Sequence, residues 1–148
     1  VQTWERYRGN VLAFVDAVPP ALLHFRPTAG VRNYAEQIEH VVLDNVVIAA
    51  TAVRGQARPP TLGDKTVYLH DRAALAAYVD ATFDYVLETL RGLDAAALEE
   101  RVSLFGETEV TRREALAVAL EHGAWTLGQL VPYLRLNGID PPAYRLLP

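Results

Sequence analysis

Apolar residues recur at intervals of three and four along four long stretches of the chain, a spacing typical of amphipathic helices. The first predicted helix covers residues 3–17 and ends at the "VPP" that follows. The second covers residues 33–54, the third residues 71–91 and the fourth residues 112–137. Each stretch has one apolar stripe and one polar face, so each helix needs a neighbour that covers its stripe.

Local signals at the helix ends agree with these bounds. Two pairs have the spacing of a capping box, in which each side chain bonds the other residue's backbone: Asn33 with Glu36, and Thr111 with Glu114. Asp71 is a favourable N-cap for the third helix. After the fourth helix, Asn137-Gly138-Ile139 predicts a C-cap that ends in glycine and a hydrophobic contact.

Helices with apolar stripes bury those stripes against each other, which predicts an all-α four-helix bundle in one domain, residues 1–148. The connection over residues 55–70 can cross the whole bundle, because sixteen extended residues span roughly 50 Å and a 20-residue helix only about 30 Å. The second and third helices would then run parallel. We find no alternation long enough for a sheet: "TVYLH" at 66–70 is the only candidate strand and is interpreted as an extended linker. "DAAALEERV" at 94–102 predicts an extra helical turn.

The fourth predicted helix contains residues that weaken helices. Gly123 and Gly128 each cost about 1 kcal/mol relative to alanine in a helix interior. Pro132 has no N–H to donate to the carbonyl of Gly128, at a cost of about 3 kcal/mol. We therefore predict a bend centred on residues 128–132. It is either a structural kink whose glycines admit a neighbouring helix, or a backbone opening beside a site.

Composition excludes several classes of protein. The chain is 51% hydrophobic and 22% charged, as in soluble globular proteins, and no apolar run approaches the roughly 20 residues of a membrane span. A net charge of −4 without a Lys/Arg cluster argues against a nucleic-acid surface. The absence of cysteine excludes disulfides, thiolate metal sites and a cysteine nucleophile. Since the first residues also lack a signal-peptide pattern, we expect a cytoplasmic protein.

The four histidines fall into two groups. His24 and His70 lie in connections, where surface residues are expected. His40 and His122 lie within the second and fourth helices, and His40 shares its stripe with Asp44. If the two stripes face each other, two imidazoles and a carboxylate converge, which is how bundle cores build metal sites. The alternative is that both histidines are buried and hydrogen-bonded within the core.

Three segments resemble the DinB/YfiT-like family of small four-helix-bundle proteins, over nearly the full chain: "WERYRGNVLAFVDAVP", "FRPTAGVRNYAEQIEHVVLDN" and "ALEHGAWTLGQLVPYLRLNGIDPPAY". The most specific element is H-x5-G-Q at His122, Gly128 and Gln129. The resemblance implies a crossed bundle and a divalent metal, zinc or nickel, held by one histidine of the second helix and two of the fourth. His40 and His122 match two of these ligands, and Thr126 stands at the third position. A neutral hydroxyl is a poor ligand beside imidazole.

The threonine leaves three outcomes open. The site is completed by Asp44, Glu36 or water; or it binds metal weakly; or it is a metal-free pocket for a small molecule, lined by His40, His122, Trp125 and Thr126. With metal, the resemblance implies hydrolase or thiol-transferase chemistry on an unknown small-molecule substrate, with a carboxylate that orients an imidazole. A purely structural dimer is a further alternative. The resemblance and the apolar content also lead us to expect a homodimer.

Overall fold

The computed structural model describes residues 1–147, and most of them are helical. Its helices are α1 Gln2–Ala17, α2 Tyr34–Ile48, α3 Lys65–Tyr68, α4 Arg72–Arg91, α5 Ala95–Glu99, α6 Arg112–Gly128 and α7 Leu130–Arg135. The predicted all-α four-helix bundle is confirmed, and its long helices are α1, α2, α4 and α6. A π-helical turn, Ala49–Val53, continues α2, and a single 3₁₀ turn, Pro20–Leu22, follows α1. Within residues 1–147, no helix is both long enough and apolar enough to cross a bilayer.

Ion pairs between α1 and α4 show that these two helices run antiparallel. Arg8 Nε donates to Asp80 at 2.7 Å, halfway along both helices. Arg91, at the end of α4, donates to Glu5 at the beginning of α1, 3.2 Å away. Between these polar contacts the two helices bury the apolar stripe that the spacing of α1 predicted.

The helices α2 and α4 run parallel. Tyr68, just ahead of α4, donates to Glu39 near the beginning of α2 at 2.7 Å. Arg54, just after α2, donates to Thr89 near the end of α4 at 2.6 Å. The connection from residue 54 to residue 71 therefore returns along the full length of the bundle, as its length predicted.

The expectation that "TVYLH" is an extended linker is wrong. Its first residues belong to α3. Asp64 caps this helix by accepting a bond from the Thr66 N–H at 2.9 Å. Tyr68 then stacks on Tyr78 of α4 with ring centroids 4.0 Å apart. A four-residue helix is too short to show helical periodicity, and its stability comes from the cap and from this tertiary contact.

A small β-hairpin corrects the expectation that the chain contains no sheet. Strand β1, Arg101–Leu104, pairs antiparallel with β2, Thr108–Thr111. The turn between them uses the left-handed backbone of Phe105 (φ 56°) and Gly106 (φ 75°). Strands of four residues are too short for their alternation to stand out in the sequence. The predicted helical turn just before them is confirmed as α5, although it ends before β1.

The fourth predicted helix is interrupted within residues 128–132, where we predicted a bend. The helix α6 ends at Gly128 and α7 begins at Leu130, so Gln129 is the break. The Gln129 N–H donates to the Thr126 carbonyl at 3.2 Å, a tighter i to i+3 bond than that of an α-helix. Pro132 lies one turn further on, where it has no N–H to restore the α-helical ladder.

The predicted caps are present. Both capping boxes contain the two reciprocal bonds. After α7, the Ile139 N–H donates to the Leu134 carbonyl at 3.0 Å and the Gly138 N–H to the Arg135 carbonyl at 3.1 Å. With Gly138 at φ 70°, this is the Schellman arrangement.

Of the two glycines in α6, only one admits a neighbouring helix. A Cβ atom on Gly123 would overlap the Tyr7 hydroxyl and lie 2.7 Å from Tyr7 Cζ, so α1 approaches α6 closely at this point. A Cβ atom on Gly128 would meet open space. The close-approach interpretation is therefore confirmed for Gly123 and wrong for Gly128.

Candidate metal centre

Polar contacts between α2 and α6 place the two predicted metal ligands next to each other. Gln37, in the first turn of α2, donates to the Thr126 carbonyl near the end of α6 at 3.2 Å. Because the helices run antiparallel, residues later in α2 face residues earlier in α6. The rings of His40 and His122 consequently lie 5.0 Å apart, centroid to centroid, with an interplanar angle of 80°.

A carboxylate joins the two imidazoles. Asp44 lies one turn after His40 on α2, and ligand atoms of His40, Asp44 and His122 all lie within 4.8 Å of one another. The side chains of His122 and Asp44 are 25% and 33% exposed, so the cluster can be reached from solvent. The structure thus brings together both predicted histidines with one of the two carboxylates that were considered.

The other carboxylate, Glu36, is used elsewhere. Its side chain accepts the Asn33 N–H at 2.8 Å in the capping box of α2 and lies 3.4 Å from the Arg26 guanidinium. It is not a member of the three-residue cluster. The Glu36 carboxylate is thus used by the capping box and by Arg26, and Asp44 is the carboxylate of the cluster.

The bonding capacity of the His122 ring is only partly used. Its Nε2 lies 3.2 Å from the Thr126 hydroxyl and 3.4 Å from an Asp44 oxygen. Its Nδ1 is buried and has no hydrogen-bond partner among residues 1–147. Buried polar atoms without a partner are uncommon, and each needs an explanation such as an ion or a functional role. Thr126 thus occupies the expected ligand position but bonds the neighbouring imidazole.

The environment of His40 favours its neutral form. Partial burial lowers the pKa of His40, and the charge of Arg32 lowers it further, while the Asp44 carboxylate opposes both. The proximity of His122 also acts to lower it. A histidine binds a metal through the lone pair of its neutral ring, so this shift keeps His40 available as a ligand at mildly acidic pH.

The donor set fits a divalent ion. Two imidazoles and one carboxylate are a combination found in catalytic zinc sites, where a fourth position stays open. Ligand atoms that surround one zinc ion at about 2.0–2.2 Å are themselves about 3–3.5 Å apart. The observed limit of 4.8 Å therefore needs only small side-chain rotations. None of the three residues is fully buried, which leaves space for such rotations.

Each imidazole borders a different cavity. His122 lines a cavity of about 260 Å³ together with Val118, Glu121 and Trp125. His40 lines another of about 270 Å³, whose other walls are Arg32, Glu36, Glu39, Leu43 and Lys65. Trp125 is 72% exposed and Thr126 only 2% exposed. The single pocket expected around both histidines, Trp125 and Thr126 is therefore divided, one cavity apolar and the other charged.

The polar residues around His40 were not predicted from the sequence. Glu39 is buried and accepts bonds from Lys65 at 2.8 Å and from the Tyr68 hydroxyl at 2.7 Å. This contact ties the long connection to α2 directly beside His40. Burial and the Glu39 charge raise the pKa of Tyr78, which stacks on Tyr68, to about 12. The one signal in the sequence for these contacts is the group of polar residues just before His40, which includes Glu39.

The remaining histidines lie outside this centre. His24 and His70 are exposed, as expected. They contact each other, with His70 Nδ1 3.1 Å from His24 Nε2. This pair links the first connection to the segment just ahead of α4, and no carboxylate joins it in a three-ligand cluster within residues 1–147.

Comparison with known proteins agrees with the fold. A model of the DinB superfamily matches residues 3–130. The fold is similar to that of a DinB-like protein from Bacillus subtilis, with TM-score 0.77, 18% identity and coverage of 98% of this chain and 99% of the other. It is also similar to a DinB-like protein from Bacillus cereus, with TM-score 0.75, 15% identity and coverage of 97% and 94%. No curated protein matches. The family match spans most of the chain, and the protein therefore belongs to the DinB superfamily.

Proposed function

We propose that this protein is a metal-dependent enzyme of the hydrolase or thiol-transferase class, with its ion held by His40, Asp44 and His122. The observation that carries the proposal is the convergence of these three donors, from two helices, on one partly exposed point. A divalent ion bound there would supply Lewis-acid chemistry, which lowers the pKa of a water or a thiol to generate a nucleophile near neutral pH.

Asp44 takes the place of the imidazole that is missing at Thr126. Replacing a neutral ligand by a carboxylate lowers the net charge of a divalent centre from +2 to +1. This favours retention of the ion but weakens its effect on the acidity of a bound group. Thr126 supports the arrangement, because its hydroxyl lies 3.2 Å from the ring of His122 and limits the rotation of that ring.

Neighbouring residues hold the two helices in register. Gln37 bonds both the Thr126 carbonyl and the Gln129 side chain, at 3.2 and 3.1 Å, and so fixes the end of α6 against α2. Gly123 lets Tyr7 pack directly behind the segment that carries His122. These contacts hold the backbone of the centre, while its side chains remain accessible from the two cavities.

A metal-free binding module is the second candidate. The Nε2 atom of His122 already has Thr126 and Asp44 as neighbours, so part of the cluster is satisfied without an ion. In that case a small molecule would bind in one or both cavities, and His40 and His122 would bond it directly. The two candidates differ in whether the protein retains a stoichiometric metal.

Elemental analysis of protein purified without an affinity tag separates the candidates. We expect about one zinc or nickel ion per chain, and loss of that ion in His40→Gln, Asp44→Asn and His122→Gln. His24→Gln is the matched control, because it removes an exposed imidazole outside the cluster. Asp16→Asn is the matched control for the carboxylate. Metal-free protein that also fails to bind added zinc would support the binding module and contradict the enzyme.

The reaction class needs a separate assay on the metal-loaded protein. An activated ester tests hydrolysis, and a simple thiol with an aryl halide tests thiol transfer. Activity that depends on Asp44 in either assay supports the proposal, and the assay in which it appears distinguishes the two chemistries. Activity that is unchanged in Asp44→Asn would place the chemistry elsewhere in the molecule.

A further inference from the structure

The cavity beside His40 and a larger cavity beside the helix break share two residues. Arg32 and Glu36 line both the cavity of about 270 Å³ at His40 and the cavity of about 740 Å³ at the break. Arg32 precedes α2, and Glu36 lies one turn before His40 on the same helix. A ligand that follows these residues therefore has one end beside His40, one of the three candidate metal ligands, and passes Arg32 on the way.

The charge of Arg32 is not neutralised locally. Among residues 1–147 its guanidinium has no carboxylate partner, whereas Lys65 in the same cavity is paired with Glu39 at 2.8 Å. Arg32 lines the same cavity as His40, which places the guanidinium beside one side of the centre. Of the two cations that line this cavity, Arg32 is thus the one without an ion-pair partner among the described residues.

The backbone that carries Arg32 is held in place. The Tyr133 hydroxyl donates to the Arg32 carbonyl at 2.8 Å, and the next residue, Asn33, is the N-cap of α2. Glu36 is engaged with Asn33 and Arg26, at 2.8 and 3.4 Å, and so does not pair with Arg32. The guanidinium projects from a fixed point and remains free to bind an anion.

We infer that Arg32 binds a carboxylate group of the substrate and thereby selects carboxylate-bearing small molecules at this centre. The inference rests on the proposed function, because it takes the His40 end of the ligand as the reacting end. A guanidinium binds a carboxylate through two parallel hydrogen bonds. The single positive charge of Arg32 balances the single negative charge of a carboxylate. A phosphate dianion would leave one negative charge unbalanced, close to the negative charge of Glu36.

Two thiols of equal length test the inference on the zinc-loaded full chain. Mercaptoacetate carries a carboxylate, and 2-mercaptoethanol carries a neutral hydroxyl in its place. Calorimetric titration of both compounds is carried out on the natural protein, Arg32→Gln, Arg32→Lys and Arg58→Gln. Arg58 is the matched control, because it is an exposed arginine outside the residues that line the two cavities. Zinc content is measured for every variant.

We expect Arg32→Gln to weaken mercaptoacetate relative to 2-mercaptoethanol by about fivefold, the upper range for an exposed ion pair. Arg32→Lys should keep part of the preference, and Arg58→Gln should keep all of it. An equal effect of Arg32→Gln on both thiols, with zinc still bound, overturns the assignment of Arg32 and leaves the metal centre intact.

A protein that binds no zinc contradicts the proposed function instead. The carboxylate site is then tested alone, by titrating acetate into the metal-free protein while NMR follows the ring signals of His40. Shifts that occur in the natural protein and disappear in Arg32→Gln support the assignment. Signals that do not move, or that move equally in both proteins, overturn it.

Discussion

Replacing Thr126 with histidine restores the ligand that the family resemblance expects. Thr126 lies one turn after His122 on α6, so a histidine there projects from the same helix face. Its imidazole would add a third nitrogen to those of His40 and His122, beside Asp44. We expect Thr126→His to bind zinc or nickel at least about tenfold more tightly than the natural protein, or about 1.4 kcal/mol.

The same substitution destabilises the metal-free protein. It removes the 3.2 Å contact between the threonine hydroxyl and His122, worth about 1 kcal/mol. It also places a larger side chain at a position that is only 2% exposed, and such overpacking costs about 1–3 kcal/mol. We therefore expect the free energy of unfolding without metal to fall by about 2–4 kcal/mol. Metal at a thousand times its Kd raises the free energy of unfolding by about 4 kcal/mol.

Thermal unfolding with and without metal measures both effects, and a competition titration gives the affinities. Thr126→Val is the control, because it keeps the size of threonine and removes the hydroxyl, which separates the lost hydrogen bond from the packing cost. A folded Thr126→His protein with unchanged metal affinity would refute the assignment of this face as a metal site. A variant that unfolds early and does not respond to metal would show that the surroundings have repacked around threonine.

Two further predictions concern contacts outside the ligands, and a third concerns the oligomeric state. Gly123→Ala should lower the free energy of unfolding by about 1–3 kcal/mol in urea titrations, because the new methyl group overlaps Tyr7; Tyr7→Phe in the same chain should recover part of the loss. The bonds from Thr111 hold the pKa of Glu114 below its ordinary value of 4.5. Its contribution to stability is therefore complete above pH 4.5 and is lost as the pH falls through the lower folded pKa. Glu114→Gln should reduce the loss of stability in acid, as measured by urea unfolding across that range, and an unchanged pH profile would contradict this. We also expect a homodimer, which light scattering would exclude by showing a monomer at high concentration.

The long helices were predictable because their causes are local. A side chain contacts its neighbours three and four residues away on the same helix. The apolar spacing in the sequence of α1 or α4 therefore predicts the helix directly. Capping boxes likewise join residues three positions apart, as for Thr111 and Glu114. The break in α6 also follows from covalent chemistry, since Pro132 lacks an N–H wherever the helix packs.

Short elements escaped prediction because four residues contain too little pattern. The helix α3 depends on the Asp64 cap and on the stacking of Tyr68 on Tyr78, a residue of another helix. The hairpin depends on pairing between Arg101–Leu104 and Thr108–Thr111, whose alternation is too short to distinguish from a loop. In both cases the stabilising partner lies outside the segment.

The candidate site was likewise predictable only in part. His40 and His122 were identifiable because each lies within a long predicted helix, and the antiparallel packing of α2 on α6 brought their rings to 5.0 Å. The sequence left Asp44 and Glu36 as equal alternatives. The structure selects Asp44, because the capping box holds Glu36 at the beginning of α2.

Only the tertiary structure placed the charged surroundings of the centre. Lys65 reaches Glu39 across 26 positions of sequence, and Tyr68 reaches it across 29. The path of the long connection decides these contacts, and no local periodicity encodes that path. Arg32 was an ordinary charged residue in the sequence. Its position between two cavities, with no carboxylate partner among residues 1–147, arises only when α2, the preceding loop and the break after α6 are packed together.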